Sequence, residues 1–222
     1  MAFIYLGHPK TITDLRSLIG MKQVKDRSSV RIIVIDDQPF PYSENLRKHG
    51  FNIEQLRDLE TLDSISSYEI VLCDVQGVGT TFHQELQGAY LVKEIRKRFP
   101  FKFIISYTAY DNDARYTALL KSADLSIVKD ENTDIWVEKL DYAISSVSNI
   151  EEQWAKTCNH LLGLKVPLFQ IALLENEVVT RIQKKQSFDN FLSINKSIQL
   201  ESSAKDVILS FIGSAAVKFL LG

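Results

Sequence analysis

Cysteine is nearly absent from this chain, with only Cys73 and Cys158 among 222 residues. Two thiols cannot build the disulfide framework of a small secreted fold, and Cys73 lies inside an apolar run, so both are expected to be reduced, as in a cytoplasmic protein. Long hydrophobic runs are missing too. The nearest, Val207 to Leu221, is interrupted by Lys218 and falls short of the ~20 apolar residues that span a bilayer. The start, Met1-Ala2-Phe3-Ile4-Tyr5-Leu6-Gly7, lacks the basic start, apolar stretch and cleavage site of a signal peptide. Excess positive charge is also lacking: the net charge of −2 leaves no electrostatic footprint for nucleic acid, so neither nucleic acid nor membrane is an expected partner. No internal repeat or low-complexity tract is found. What remains, 45% hydrophobic and 24% charged residues, is the balance of a soluble globular protein with one ordinary domain and a smaller second unit.

The middle of the chain alternates short β-rich runs with helical patterns, which predicts a parallel sheet wrapped by helices. Val30 to Ile35 is a nearly continuous β-branched run, as in a strand buried on both faces. A helix over Tyr42 to His49 is closed by Gly50. Phe51 to Leu56 suits a second strand, Leu62 to Ile65 a poor helix and Glu69 to Cys73 a third strand. A long loop then precedes an amphipathic helix over Ala89 to Arg96. Phe101 to Tyr107 suits a fourth strand, Asn112 to Ser122 a helix and Asp124 to Val128 a fifth strand. The helix Asp134 to Val147 has Ile135, Val137, Leu140 and Ile144 as its apolar side. Residues 30–148 thus predict one domain of five βα units. Residues 149–222 predict a helical region, with helices over Glu151 to Leu164, Leu168 to Lys185 and Ser202 to Leu221. Residues 1–29 read as an extension, a short strand and then a helix capped by Thr11 or Thr13.

In an open parallel sheet, functional groups gather where strands end at their carboxyl edge. Here the first strand ends in Asp36-Asp37, the third in Asp74, the fourth in Tyr107-Thr108-Ala109 and the fifth in Lys129. Each polar group follows an apolar run, so the sheet itself brings them together. Three carboxylates so close repel one another, which raises a pKa or demands a cation. Mg²⁺, a small hard ion that takes oxygen ligands, resolves the conflict. Asp37 and Asp74 are then the expected direct ligands, Asp36 holds a metal-bound water and the backbone carbonyl of Gln76 supplies a further oxygen.

The set, in this order and at these strand ends, resembles the receiver domains of two-component response regulators over residues 30–148. The resemblance implies a flavodoxin-like, doubly wound five-stranded parallel sheet of the receiver type. It also implies that Asp36 and Asp37 bind Mg²⁺, that Asp74 is phosphorylated, and that Thr108 and Lys129 bind the phosphoryl oxygens. A sensor histidine kinase or phosphotransfer protein would be the phosphodonor, and the domain would catalyse its own phosphorylation and dephosphorylation.

Three positions depart from the family pattern. Asp130 follows Lys129 where proline is usual, Ser126 stands where an aromatic ring is usual, and the loop from Asp74 to about Gly88 is long, carrying Thr80, Thr81, Phe82, His83 and Gln84. The Asp130 and Ser126 departures leave open a receiver-like scaffold that no longer cycles phosphate. The helical region shows no basic recognition surface, no helix-turn-helix and no enzymatic output motif. It is expected to serve protein contacts, including a homodimer; a transcription factor with an atypical DNA-binding region is the alternative. His83 and the basic residues Lys93, Arg96, Lys97 and Arg98 are expected to be solvated, and His160 carries no phosphotransfer spacing.

Overall fold

The computed structural model describes residues 8–21, 26–109, 114–194 and 200–221. The chain divides into two compact units, Lys25–Val147 and the combination of Met1–Val24 with Ser148–Gly222. The short strand expected near the N-terminus, and the first two residues of the helix expected from Asn112, lie outside the described residues.

In the N-terminal segment, Thr11 precedes a 3-10 turn, Ile12–Leu15, which runs into α1 (Arg16–Met21). The Thr11 N–H donates to the Asp14 carboxylate at 2.7 Å, the reciprocal half of a capping box.

The unit Lys25–Val147 is built on strands β1 (Arg31–Ile35), β2 (Asn52–Leu56), β3 (Ile70–Asp74), β4 (Phe103–Thr108) and β5 (Leu125–Val128). All pair in parallel, in the order β2-β1-β3-β4-β5. The helices of this unit are α2 (Ser43–Lys48), α3 (Gln87–Arg98), α4 (Ala114–Leu120) and α5 (Thr133–Val147), and the weak second-helix signal is a 3-10 turn at Leu62–Ile65. The strand order reverses between β1 and β3, and such a switch point opens a crevice at the carboxyl edge of the sheet. The β3 strand, IVLCD, is buried throughout, as the apolar run 70–73 requires of a central parallel strand.

One face of the sheet joins Ile33, Ile35, Val71, Cys73 and Ile104 to Leu91, Val92 and Ile95 of α3 in a single apolar cluster. Arg96, expected on a solvated face, is instead a clamp. Its guanidinium donates to the carbonyls of Pro100, Lys102 and Ser122 and pairs with Asp124, which fixes the entries to β4 and β5. On α5 the buried stripe is Trp136, Leu140, Ala143, Ile144 and Val147, with Ile135 and Val137 only half-buried. This corrects the expected face. Trp136 has the largest apolar surface on the helix, and its burial between Phe40 and Tyr107 rotates the helix by one position.

The other unit consists of the N-terminal turn and α1 with α6 (Ile150–Gly163), α7 (Leu168–Gln183), α8 (Phe191–Ile194), α9 (Ser202–Ile212) and α10 (Ala215–Leu221). Asn149 caps α6, accepting from the N–H groups of Glu151 and Glu152. Trp154 packs on Phe211 with ring centroids 5.0 Å apart. The N-terminal turn buries Ile12 and Leu15, and the Ile12 N–H donates to Glu175 at 2.8 Å. The single helix expected over Ser202 to Leu221 is broken at Gly213, which closes α9, and Ser214 accepts from Lys218 N–H to start α10. Apolar periodicity ran across the break because Val207, Phe211, Val217 and Leu220 are all buried. No helix among the described residues is long and apolar enough to cross a membrane.

Candidate phosphoacceptor and metal site

The carboxyl edge of the sheet gathers the predicted acids. Asp36 follows the last residue of β1 and Asp74 is the last residue of β3; β1 and β3 are hydrogen-bonded neighbours in register. Asp36, Asp37 and Asp74 each bring a carboxylate oxygen within 4.8 Å of the others. Asp36 is fully buried, Asp74 nearly so, and Asp37 is exposed.

Lys129 leaves the end of β5 and bridges two of these acids. Its Nζ lies 2.7 Å from Asp74 Oδ2 and 3.2 Å from Asp36 Oδ2. Burial opposes the charge on Lys129, but the hydrogen bonds and charges of Asp74 and Asp36 outweigh it and raise its pKa, so the amine stays a cation. Burial raises the pKa of Asp74, and Lys129 and the Gln76 N–H only partly offset this. A nearly buried carboxylate that keeps its charge at the cost of desolvation is a strained ground state, relieved by added positive charge.

Each acid is also held locally. Asp36 Oδ1 accepts from the Gln38 N–H at 2.9 Å, Asp37 Oδ2 from Gln38 Nε2 at 3.1 Å, and Asp74 Oδ1 from the Gln76 N–H at 3.3 Å. Gln76 itself is exposed, beside Asp74. Thr108 ends β4 one residue beyond Tyr107, the register partner of Asp74, and its carbonyl accepts from the Lys129 N–H at 2.9 Å. Thr108 therefore sits at the same edge, buried between the ends of β3 and β5.

Two glycines allow the close approaches. A Cβ on Gly88, at the start of α3, would lie 1.9 Å from the carbonyl oxygen of Asp74, so helix and strand end meet backbone to backbone. Gly77 has φ +80° and would place a Cβ 2.6 Å from Asp37 Oδ1.

The long loop after Asp74 is pinned. Val78 is buried and Phe82 packs on the α3-side core, the Gly79 N–H donates to Asp58 at 2.6 Å, the Thr81 hydroxyl donates to the Leu59 carbonyl, and the Gly77 N–H donates to Gln87 Oε1 at 2.9 Å. His83, expected to be a solvated loop residue, accepts from the Leu86 N–H at 3.1 Å and stacks beside Tyr90, bracing the start of α3. Ser126 is tied to Ser106 Oγ at 2.8 Å.

Two phenols at the site were missed from sequence. Tyr107 donates to Asp36 Oδ2 at 2.9 Å, and Tyr42 donates to the Lys129 carbonyl at 3.3 Å. Tyr107 sits in an apolar strand, where an aromatic ring reads as core; only the β3–β4 register shows that it opposes Asp74.

Three carboxylates form an all-oxygen donor set, the kind that hard divalent cations choose. The arrangement offers a nucleophilic carboxylate, a fixed ammonium and a cation-binding group at one spot.

No family model matches the chain, and no curated protein matches it. Among solved structures it is similar to a response regulator from Thermotoga maritima, at 22% identity over 53% of this chain and 98% of that one, with a TM-score of 0.44. It is similar to the receiver domain of NtrX from Brucella abortus, at 21% identity over 52% of this chain and 98% of that one, with a TM-score of 0.44. It is also similar to a response regulator from Burkholderia pseudomallei containing a phosphorylated aspartic acid, a calcium ion and citrate, at 19% identity over 61% and 86% of the two chains, with a TM-score of 0.42.

Proposed function

We propose that this chain is a phosphorylatable regulator of the two-component receiver type, which accepts a phosphoryl group on Asp74 with Mg²⁺ bound by the neighbouring acids. The observation that carries the proposal is the Lys129 ammonium 2.7 Å from Asp74 Oδ2, with the Asp36 and Asp37 carboxylates clustered beside it. A lone strand-end aspartate needs no such company.

Asp37 and Asp74 would hold the cation directly and Asp36 through a water, with the Gln76 carbonyl as a further oxygen. Bound there, Mg²⁺ supplies positive charge against the phosphoryl oxygens. An Asp74 oxygen attacks phosphorus in line, forming a P–O bond as the bond to the donor nitrogen or oxygen breaks and its electron pair leaves with the donor. Lys129 exchanges its contact with the carboxylate for one with a phosphoryl oxygen. Thr108, at the end of β4, hydrogen-bonds another, and that contact biases the segment after β4 between two packed states. The donor would be a phosphohistidine of a sensor kinase or phosphotransfer protein. The helical unit would carry the signal through protein contacts, including self-association.

Incubation with acetyl phosphate and Mg²⁺, followed by intact mass measurement, tests the proposal. The wild-type chain is expected to gain the mass of one phosphoryl group. Asp74→Asn, or wild type with a chelator, is expected to gain none. No gain by wild type would leave the chain a receiver-shaped scaffold.

A further inference from the structure

The phosphoryl chemistry has no use for the hydroxyl of Tyr107, yet the hydroxyl lies inside the acid pocket. Register places Tyr107 opposite Asp74 on the neighbouring strand. Its ring is fully buried and packs against Phe40 and Trp136, at centroid distances of 5.5 and 5.6 Å. Phenylalanine would fill that space equally well, so packing alone does not call for the oxygen.

The hydroxyl donates to Asp36 Oδ2 at 2.9 Å. Burial, followed by the charge of Asp36, pushes the phenol far above its ordinary range, so it stays protonated and remains a donor. Asp36 is thereby gripped from three directions: the Gln38 N–H holds Oδ1, while the phenol and the Lys129 ammonium hold Oδ2. Of these donors, Lys129 also serves Asp74 and is the group expected to shift when a phosphoryl group arrives. The phenol stands on a central strand and cannot follow.

We propose that Tyr107 is a positioning residue, which fixes the orientation of the Asp36 carboxylate for cation binding at the Asp36–Asp37–Asp74 cluster. The proposal rests on the metal-dependent function proposed above. Hydrogen-bond partners of this kind set the direction and basicity of a metal-site carboxylate, and their loss typically weakens metal binding 10- to 100-fold.

Mn²⁺ serves as the probe, titrated into the full chain, with the free ion counted by electron paramagnetic resonance. Tyr107→Phe, which keeps the ring, is expected to raise the dissociation constant about tenfold. Tyr68→Phe likewise removes a phenol bonded to a carboxylate, but that of Glu54 on β2, at 2.8 Å and outside the acid cluster; it is expected to leave the constant unchanged. Melting without metal gives the readout of a purely structural role. Equal Mn²⁺ affinity in wild type and Tyr107→Phe, an equal loss in both phenol variants, or failure of Tyr107→Phe to fold would overturn the assignment. Absence of Mn²⁺ binding by wild type would overturn the metal-dependent function as well, so the two failures are told apart.

Discussion

The Asp74 carboxylate stands where water is nearly excluded, and among the described residues Lys129, at 2.7 Å, and the Gln76 N–H compensate it. Electrostatics of the opposite sign operate at the far side of β2. Glu54 accepts from the Tyr68 hydroxyl at 2.8 Å, and this bond, with Arg31 assisting, holds the Glu54 carboxyl below its ordinary range. A depressed folded-state pKa contributes stability above the unfolded value, and the contribution is lost as pH falls through the folded one. Tyr68→Phe should therefore lower stability at neutral pH by about 1 kcal/mol, the low side for a charged hydrogen bond because Glu54 is open to water. The same change should move the acid unfolding midpoint to higher pH. Circular dichroism across an acid titration checks both; unchanged curves would remove Tyr68 from the account.

At the scale of elements, the site depends on how close α3 comes to the end of β3. With the Gly88 Cα beside the Asp74 carbonyl, Gly88→Ala drives a methyl into backbone that has no rotamer to escape through. A cost of at least about 3 kcal/mol is expected, above ordinary overpacking, read as a shift in the urea midpoint; a near-neutral result would contradict the packing described. Elements also differ in how far they were legible in the sequence. Asp36, Asp74 and Lys129 stood out because each directly follows apolar residues at the end of a strand, and a parallel sheet aligns such ends without help from distant residues. Tyr107 did not, since its role depends on pairing with β3, which no local pattern records. The α5 face was misplaced by one step because periodicity weighed four aliphatic positions above one Trp136. Gly213 ended α9 unnoticed because burial continues on both sides of it. His83 looked like a loop residue until its acceptor nitrogen met the Leu86 N–H.

At the scale of the whole molecule, the N-terminal segment belongs with residues 148–222, although the other unit separates them in sequence. Leu15 is fully buried, and its turn is joined to this helical unit by the Ile12–Glu175 hydrogen bond and by the Arg16–Glu151 ion pair at 2.7 Å. Leu15→Ala should cost the helical unit about 2–5 kcal/mol. Hydrogen exchange should show the lost protection concentrated in α6 and α7, and protection lost chiefly in β1–β5 would refute the grouping. The function proposed for the other unit rests on where a phosphoryl group attaches. Borohydride reduces an aspartyl phosphate to homoserine, so treating the acetyl phosphate-labelled chain and mapping its peptides by mass spectrometry locates the acceptor directly. Homoserine at position 74, and at neither 36 nor 37, is the predicted result; homoserine at another acid, or at none, would contradict it.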